Sequence, residues 1–165
     1  MQRWILAALI GLAPAGAAQA EDVSGCAKFK WSVERERAWI AAGPTPVAAS
    51  GEIAVGEKAY RVSLAAGDAV KFAATPERAP KSGTRAGVLT FAVAKPGVYD
   101  VGLSGEGWID IVQNGVTVRS SDFSGQKNCP GIRKSVRFSF AAGAATLQLS
   151  NISDDTIDVA IAPAP

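Results

Sequence analysis

The stretch Trp108-Ile-Asp-Ile-Val-Gln-Asn-Gly-Val-Thr-Val-Arg119 decides the fold. Trp108 to Gln113 and Val116 to Arg119 are short runs rich in β-branched residues. Asn114-Gly115 between them tolerates positive φ at both central positions of a type I′ turn, so the three pieces read as a hairpin. Working outward, runs of this kind recur about every 8–12 residues between turn residues, the pattern of a sandwich or barrel. Val88 to Val93 and Val98 to Leu103 flank Lys95-Pro96-Gly97, and Val136 to Phe140 and Ala145 to Leu149 flank Ala142-Gly143. Thr156 to Ile161 supplies a further run. Ala59 to Leu64 alternates, Ala65-Ala66-Gly67-Asp68 reads as a turn, and Ala69 to Ala73 as the returning strand. Thr75 to Arg85 holds Pro76, Pro80 and Gly83 and reads as a surface loop. The expectation is an all-β chain forming an antiparallel β-sandwich of about 8–10 short strands.

Three phrases echo one another: Val62-Ser-Leu-Ala-Ala-Gly67, Phe138-Ser-Phe-Ala-Ala-Gly143 and the longer Phe91-Ala-Val-Ala-Lys-Pro-Gly97. Each is a strand, small residues and a glycine suited to positive φ, which reads as a recurrent hairpin design. Nearer the N-terminus, residues 28–36 alternate, with Phe29, Trp31 and Val33 on one side and Lys28, Lys30, Ser32 and Glu34 on the other. Period two predicts a half-buried strand, whose end is blurred by Glu34-Arg35-Glu36-Arg37, a sequence able to start a helical turn. Ala41 to Ser50, with Gly43, Pro44 and Pro46, reads as a connector.

The segment Leu89–Ala162 resembles the bacterial pre-peptidase C-terminal type of β-sandwich, a jelly-roll-like domain. The residues carrying the resemblance are Lys95-Pro-Gly-Val-Tyr-Asp-Val-Gly-Leu-Ser104, Trp108-Ile-Asp-Ile-Val112 and Ala141-Ala-Gly-Ala-Ala-Thr-Leu-Gln-Leu-Ser150. The resemblance implies a non-catalytic accessory module of the sort often fused to secreted hydrolases. The chain also resembles short exported bacterial proteins that carry Cys-Pro-Gly-Ile-Arg-Lys-Ser-Val-Arg-Phe, here Cys129–Phe138.

Residues 1–20 read as a secretory signal. Arg3 and the amino terminus form a positive start, Trp4 to Leu12 is apolar apart from Gly11, and Ala18-Gln19-Ala20 is a small-x-small cleavage site. That apolar run is well short of the ~20 residues that span a bilayer. Cleavage leaves 21–165, the size of one ordinary domain. Export makes the chain periplasmic or secreted. It also places Cys26 and Cys129 where disulfides persist, and an even pair is expected to join. The alternative is a lipoprotein anchored at Cys26, because Val23-Ser24-Gly25-Cys26 looks like a lipobox, although Glu21 and Asp22 separate it from the apolar run.

The chain contains no histidine. This removes Ser-His and Cys-His catalysis, the two-His-one-carboxylate iron site and His-bearing zinc sites. Two cysteines cannot build a four-thiolate zinc site. Phosphate-loop and nucleophile-elbow motifs are absent from the sequence. With 17 Lys and Arg against 15 Asp and Glu, the basic excess of a general nucleic-acid binder is missing too.

Carboxylate chemistry has two candidates. Glu106 and Asp110 share a face of the Trp108 strand, but four residues at ~3.3 Å set them roughly 13 Å apart, beyond the ~5–9.5 Å of glycosidase pairs. A solvated strand face is the expectation. Asn151, Ser153, Asp154, Asp155 and Asp158 are oxygen-rich enough for calcium, yet their spacing fits no EF-hand and suits ordinary turns. No metal and no cofactor are expected.

The basic residues suggest a binding surface. Lys127, Arg133, Lys134 and Arg137 surround Cys129, and Lys28 and Lys30 follow Cys26. A disulfide would gather all six, attracting an anionic polysaccharide, a lipid head group or an acidic protein face. Acids nearby in space would cancel them. Pro130-Gly131 stiffens the Cys129 loop. Trp39 is a candidate for stacking on a sugar or covering a sheet edge, with Trp31 and Trp108 in the core. The function expected is a non-catalytic binding module for an anionic glycan or an envelope partner. The alternatives are an envelope accessory protein that contacts another protein, and a carboxylate-based hydrolase.

Overall fold

The computed structural model describes residues 24–165, so the signal-peptide reading lies outside the described residues. A 3-10 turn, Cys26–Lys28, leads to helix α1 (Glu34–Ala41). Then come β1 (Thr45–Ala48), β2 (Ala59–Ser63), β3 (Ala65–Ala66), β4 (Arg85–Val93), β5 (Gly97–Leu103) and β6 (Trp108–Gln113). They are followed by β7 (Val116–Val118), β8 (Ser120–Gly125), β9 (Lys134–Phe140), β10 (Gly143–Ile152) and β11 (Thr156–Pro163). One sheet runs β1-β2-β11-β5-β9-β8, the other β3-β4-β10-β6-β7. Every strand pair is antiparallel except β1 with β2. The fold is an all-β sandwich.

Both sheets turn alternate side chains inward. Val62, Val101, Leu103, Phe138 and Val159 from the first meet Leu89, Ile111, Leu147 and Leu149 from the second, all essentially without solvent exposure. Phe140 joins Phe91 and Tyr99 at ring-centroid distances of 5.5 and 5.2 Å. Such apolar burial is the main force holding the sheets together.

The Asn114-Gly115 hairpin forms as expected, with φ of 53° and 75° at the two residues and Gln113 opposite Val116. The three echoed phrases behave differently. Val62–Gly67 leads from β2 in one sheet to β3 in the other, Phe91–Gly97 from β4 to β5, and Phe138–Gly143 from β9 to β10. All three are arches between sheets, not hairpins. Local turn chemistry does not separate these cases, because the two strands of an arch also point apolar residues inward. Of the three glycines only Gly143 takes a positive φ, 121°.

Three local expectations are corrected, and one strand is unforeseen. Residues 28–33 keep the predicted alternation of burial but form no strand. The 3-10 turn and the Gly25 N–H to Asn128 C=O hydrogen bond curl the chain there. Glu34 to Ala41 is helical, as suits a run of Glu, Arg and Ala. Within the 41–50 connector, β1 forms an edge strand where Pro46 costs no ladder bond. Ala69 to Ala73 forms no strand, and residues 67–84 instead run as a loop over the outer face of the second sheet. Gln148 exchanges two hydrogen bonds with the Ala74 backbone, Asp110 accepts from Glu77 N–H and Asn151 from Lys81 N–H. Finally β8, rich in Ser and Gly, is a strand that the sequence did not announce.

No helix among the described residues is long and apolar enough to cross a membrane.

Candidate functional site

Cys26 and Cys129 form a disulfide with their Cα atoms 4.7 Å apart. The Cys26 sulfur is therefore engaged, which the lipoprotein alternative does not accommodate. Phe29, Val33, Cys129 and Ile132 make a small second core under it, with Trp31 at its margin. Ile132 packs onto Gly102 of β5, where a Cβ would come within 2.9 Å of its Cδ1.

The disulfide brings the cations into one region, but acids come with them. Lys30 pairs with Asp122 at 2.6 Å, Arg133 with Glu106, and Arg137 with Asp100 at 2.8 Å. The Trp31 ring lies over the Arg137 guanidinium, 4.1 Å from centroid to carbon. Lys28 and Lys127 are exposed and carry no ion pair among the described residues. Three of the six cations of the expected basic surface, Lys30, Arg133 and Arg137, are thus paired with acids. Trp39 is half-buried on α1 against Ile40, Ala59 and Ala160, where it helps cover β2 and β11. Asp158 and Asp155 of the oxygen-rich loop pair with Arg61 and Arg85. Among the described residues no cluster of His, Cys, Asp and Glu is suited to a metal.

A cleft of about 480 Å³ opens elsewhere, at the mouth of the sandwich. Its origin is a mismatch of strand lengths. β6 has six residues, but β7 pairs only with Ile111, Val112 and Gln113 before Arg119 carries the chain across to the other sheet. The Trp108–Asp110 half of β6 therefore has β10 on one side and no strand on the other. Opposite the gap, Phe123 of β8 stands across from Val136 on the same face and is 64% exposed, with the Lys30 ammonium 5.6 Å from its ring centroid. Ile109, Val118, Val136 and Phe138 line the floor.

The rim is polar. The Arg78 guanidinium lies 3.9 Å over the Trp108 ring, and the Lys134 ammonium is 5.4 Å from the same ring. Lys134 crosses the mouth to donate to the Gly107 carbonyl at 2.6 Å. Its half-buried position lowers its pKa from the usual lysine value, chiefly by desolvation; Glu106 opposes this, and Arg78 and Arg133 add to it. Trp108 Nε1–H donates to Asp110, which is buried under the 67–84 loop and not on the solvated face expected. Glu106 instead reaches Arg133, so the two carboxylates serve separate partners. Sequence reasoning missed Arg78 and Phe123. One sits in a Pro-bracketed loop and the other in a Ser-rich strand, and no local pattern links either to Trp108.

Burial pushes the Asp110 carboxyl above its ordinary value of 3.8, over the opposing effect of its hydrogen bonds to Trp108 and Glu77 N–H, with Glu77 adding repulsion. The folded state thus binds this proton more tightly than the unfolded chain. The resulting stability is complete below the ordinary value and is lost as pH rises through the folded value. Denaturant midpoints measured from pH 3 to 7 are expected to fall with rising pH in the native chain relative to Asp110→Asn. Parallel profiles would contradict it.

No family model matches the chain, and no curated protein matches it. Among solved structures, the chain is similar to the pre-peptidase C-terminal domain of collagenase from Bacillus anthracis, at 17% identity and a TM-score of 0.40. That match covers 68% of this chain and 93% of the other.

Proposed function

We propose that this chain is a non-catalytic, exported binding module that takes its ligand in the cleft beside Trp108. The observation that carries the reading is Phe123, a largely exposed aromatic at the mouth of the sandwich beside an indole and a polar rim. Small-ligand and peptide sites share this build, an apolar floor with a few fixed polar groups. The Cys26–Cys129 disulfide supports export to an oxidising compartment, periplasmic or extracellular. The absence of histidine, together with carboxylates already engaged at Glu106 and Asp110, supports binding over catalysis.

The reading is tested by following the Trp108 indole N–H resonance while the protein is titrated with glycan and linear-peptide panels. A ligand of the cleft should shift that signal. Phe123→Ser with Arg78→Ala should weaken its affinity at least tenfold, about 1.4 kcal/mol. Lys28→Ala with Lys127→Ala should leave it unchanged. The reverse result would favour a second reading, an anionic polysaccharide held by those two exposed cations.

A further inference from the structure

We infer that Lys134 is a covalent capture site, whose amine forms a reversible imine with an aldehyde that lays its apolar tail on the cleft floor. The inference rests on the cleft being a binding site. Successive side chains of a strand point to opposite faces. Lys134 therefore shares a face of β9 with Val136, Phe138 and Phe140, all three in the core. A lysine stands where that stripe calls for an apolar residue, and it is half-buried. All other lysines of the chain are exposed. A single break in an otherwise consistent pattern is expected at functional positions.

The surroundings of the amine suit a nucleophile. Its hydrogen bond goes to a neutral partner, the Gly107 carbonyl, and among the described residues no carboxylate lies within ion-pair distance of it. Arg78 and Arg133 repel the ammonium form, and Glu106 opposes them. Of the other charged groups lining the cleft, Asp110 is engaged by Trp108 Nε1–H and Glu77 N–H, and the Glu77 and Lys81 side chains are exposed. Desolvation and neighbouring cations are the two ways in which a lysine is made nucleophilic near neutral pH. The neutral amine adds to the carbonyl carbon. Its two hydrogens and the carbonyl oxygen then leave as water, and a C=N bond to Nζ replaces the C=O bond. The step needs no oxidant, and water reverses it. Ile109, Val118, Val136 and Phe138 give the tail of the aldehyde an apolar floor.

The test treats the full chain with hexanal and cyanoborohydride, which reduces imines to stable amines, and maps the labelled lysines at low conversion. At pH 7, Lys134 should be labelled roughly ten times faster than Lys81, which borders the same cleft but is exposed. Lys134 holds more of its neutral form at this pH, because its pKa lies below the ordinary lysine value of 10.5. The advantage should therefore shrink as pH rises through that value, and vanish in denaturant. Hexanal should outpace acetaldehyde at Lys134 by roughly tenfold more than it does at Lys81. The hexanal adduct should shift the Trp108 indole resonance. Lys134→Met should remove the fast label and leave the labelling of the other lysines as it was. Equal labelling of Lys134 and Lys81 would overturn the inference, while a glycan or peptide that shifts Trp108 would still preserve the cleft as a site. Equal rates with the two aldehydes would overturn it as well, by taking the tail off the floor. Fast labelling of Lys134 that leaves the Trp108 indole unmoved would overturn both readings, since the adduct would then lie outside the cleft.

Discussion

Replacing Cys26 and Cys129 together by serine is expected to lower the unfolding free energy by roughly 3–4 kcal/mol. The bridged residues are 103 apart, so the bond removes a large loop from the unfolded ensemble. A loop of that size is worth about 4.7 kcal/mol in the chain-entropy account, and native disulfides often deliver somewhat less. The melting temperature should fall by roughly 10 °C. The loss should be uneven. Residues 24–33 rest on the small core around Phe29 and Val33, and on side-chain bonds such as Trp31 Nε1–H to Ser135 and Lys30 N–H to Ser124. Limited proteolysis of the serine variant should therefore cut first in this segment while the sandwich remains folded. A loss under about 1 kcal/mol would mean that those contacts fix the segment without the bond.

Asp100→Ala should cost about 2–3 kcal/mol. Asp100 is 2% exposed in the middle of the first sheet, where it receives two hydrogen bonds from Arg137 on the neighbouring strand. Removing it leaves the guanidinium under Trp31 without its partner. A fully buried pair would cost roughly 3–5 kcal/mol on such a change, but Arg137 retains some solvent and Asp122 stays opposite it. Asp100→Leu with Arg137→Met should cost less than Asp100→Ala alone, because no charge is then left buried. Denaturant titration of the three proteins decides it. Equal losses in the single and double variants would mean that the strand, and not the ion pair, needs Asp100.

The partly neutralised basic surface illustrates how far sequence carries a site. Arg133, Lys134 and Arg137 were visible as an alternating cationic run, and the cysteines correctly placed Lys28 and Lys30 in the same region. Arg133 meets Glu106 of the β5–β6 turn, Arg137 meets Asp100 of β5 and Lys30 meets Asp122 of β8, partners up to 92 residues away in the chain. No local pattern reports such a pairing. The cleft was hidden for the same reason. Trp108 and Asp110 stand in a strand legible from its sequence, but the gap beside them depends on where β7 stops and on a β8 without apolar alternation.

What the sequence determined by itself was local. It gave the all-β class, the Asn114-Gly115 hairpin, the alternating burial from Phe29 to Val33 and the cysteine pairing, each set by turn chemistry, side-chain period or count. Tertiary structure alone decided which turns are arches, that residues 67–84 cover a sheet, that Lys30, Arg133 and Arg137 are paired, and that Phe123 is largely exposed. These depend on which strands lie side by side, and β4 next to β10, or β5 next to β9, is chosen by the burial of one shared core. That choice is a property of the whole chain, made by apolar area and not by any single segment.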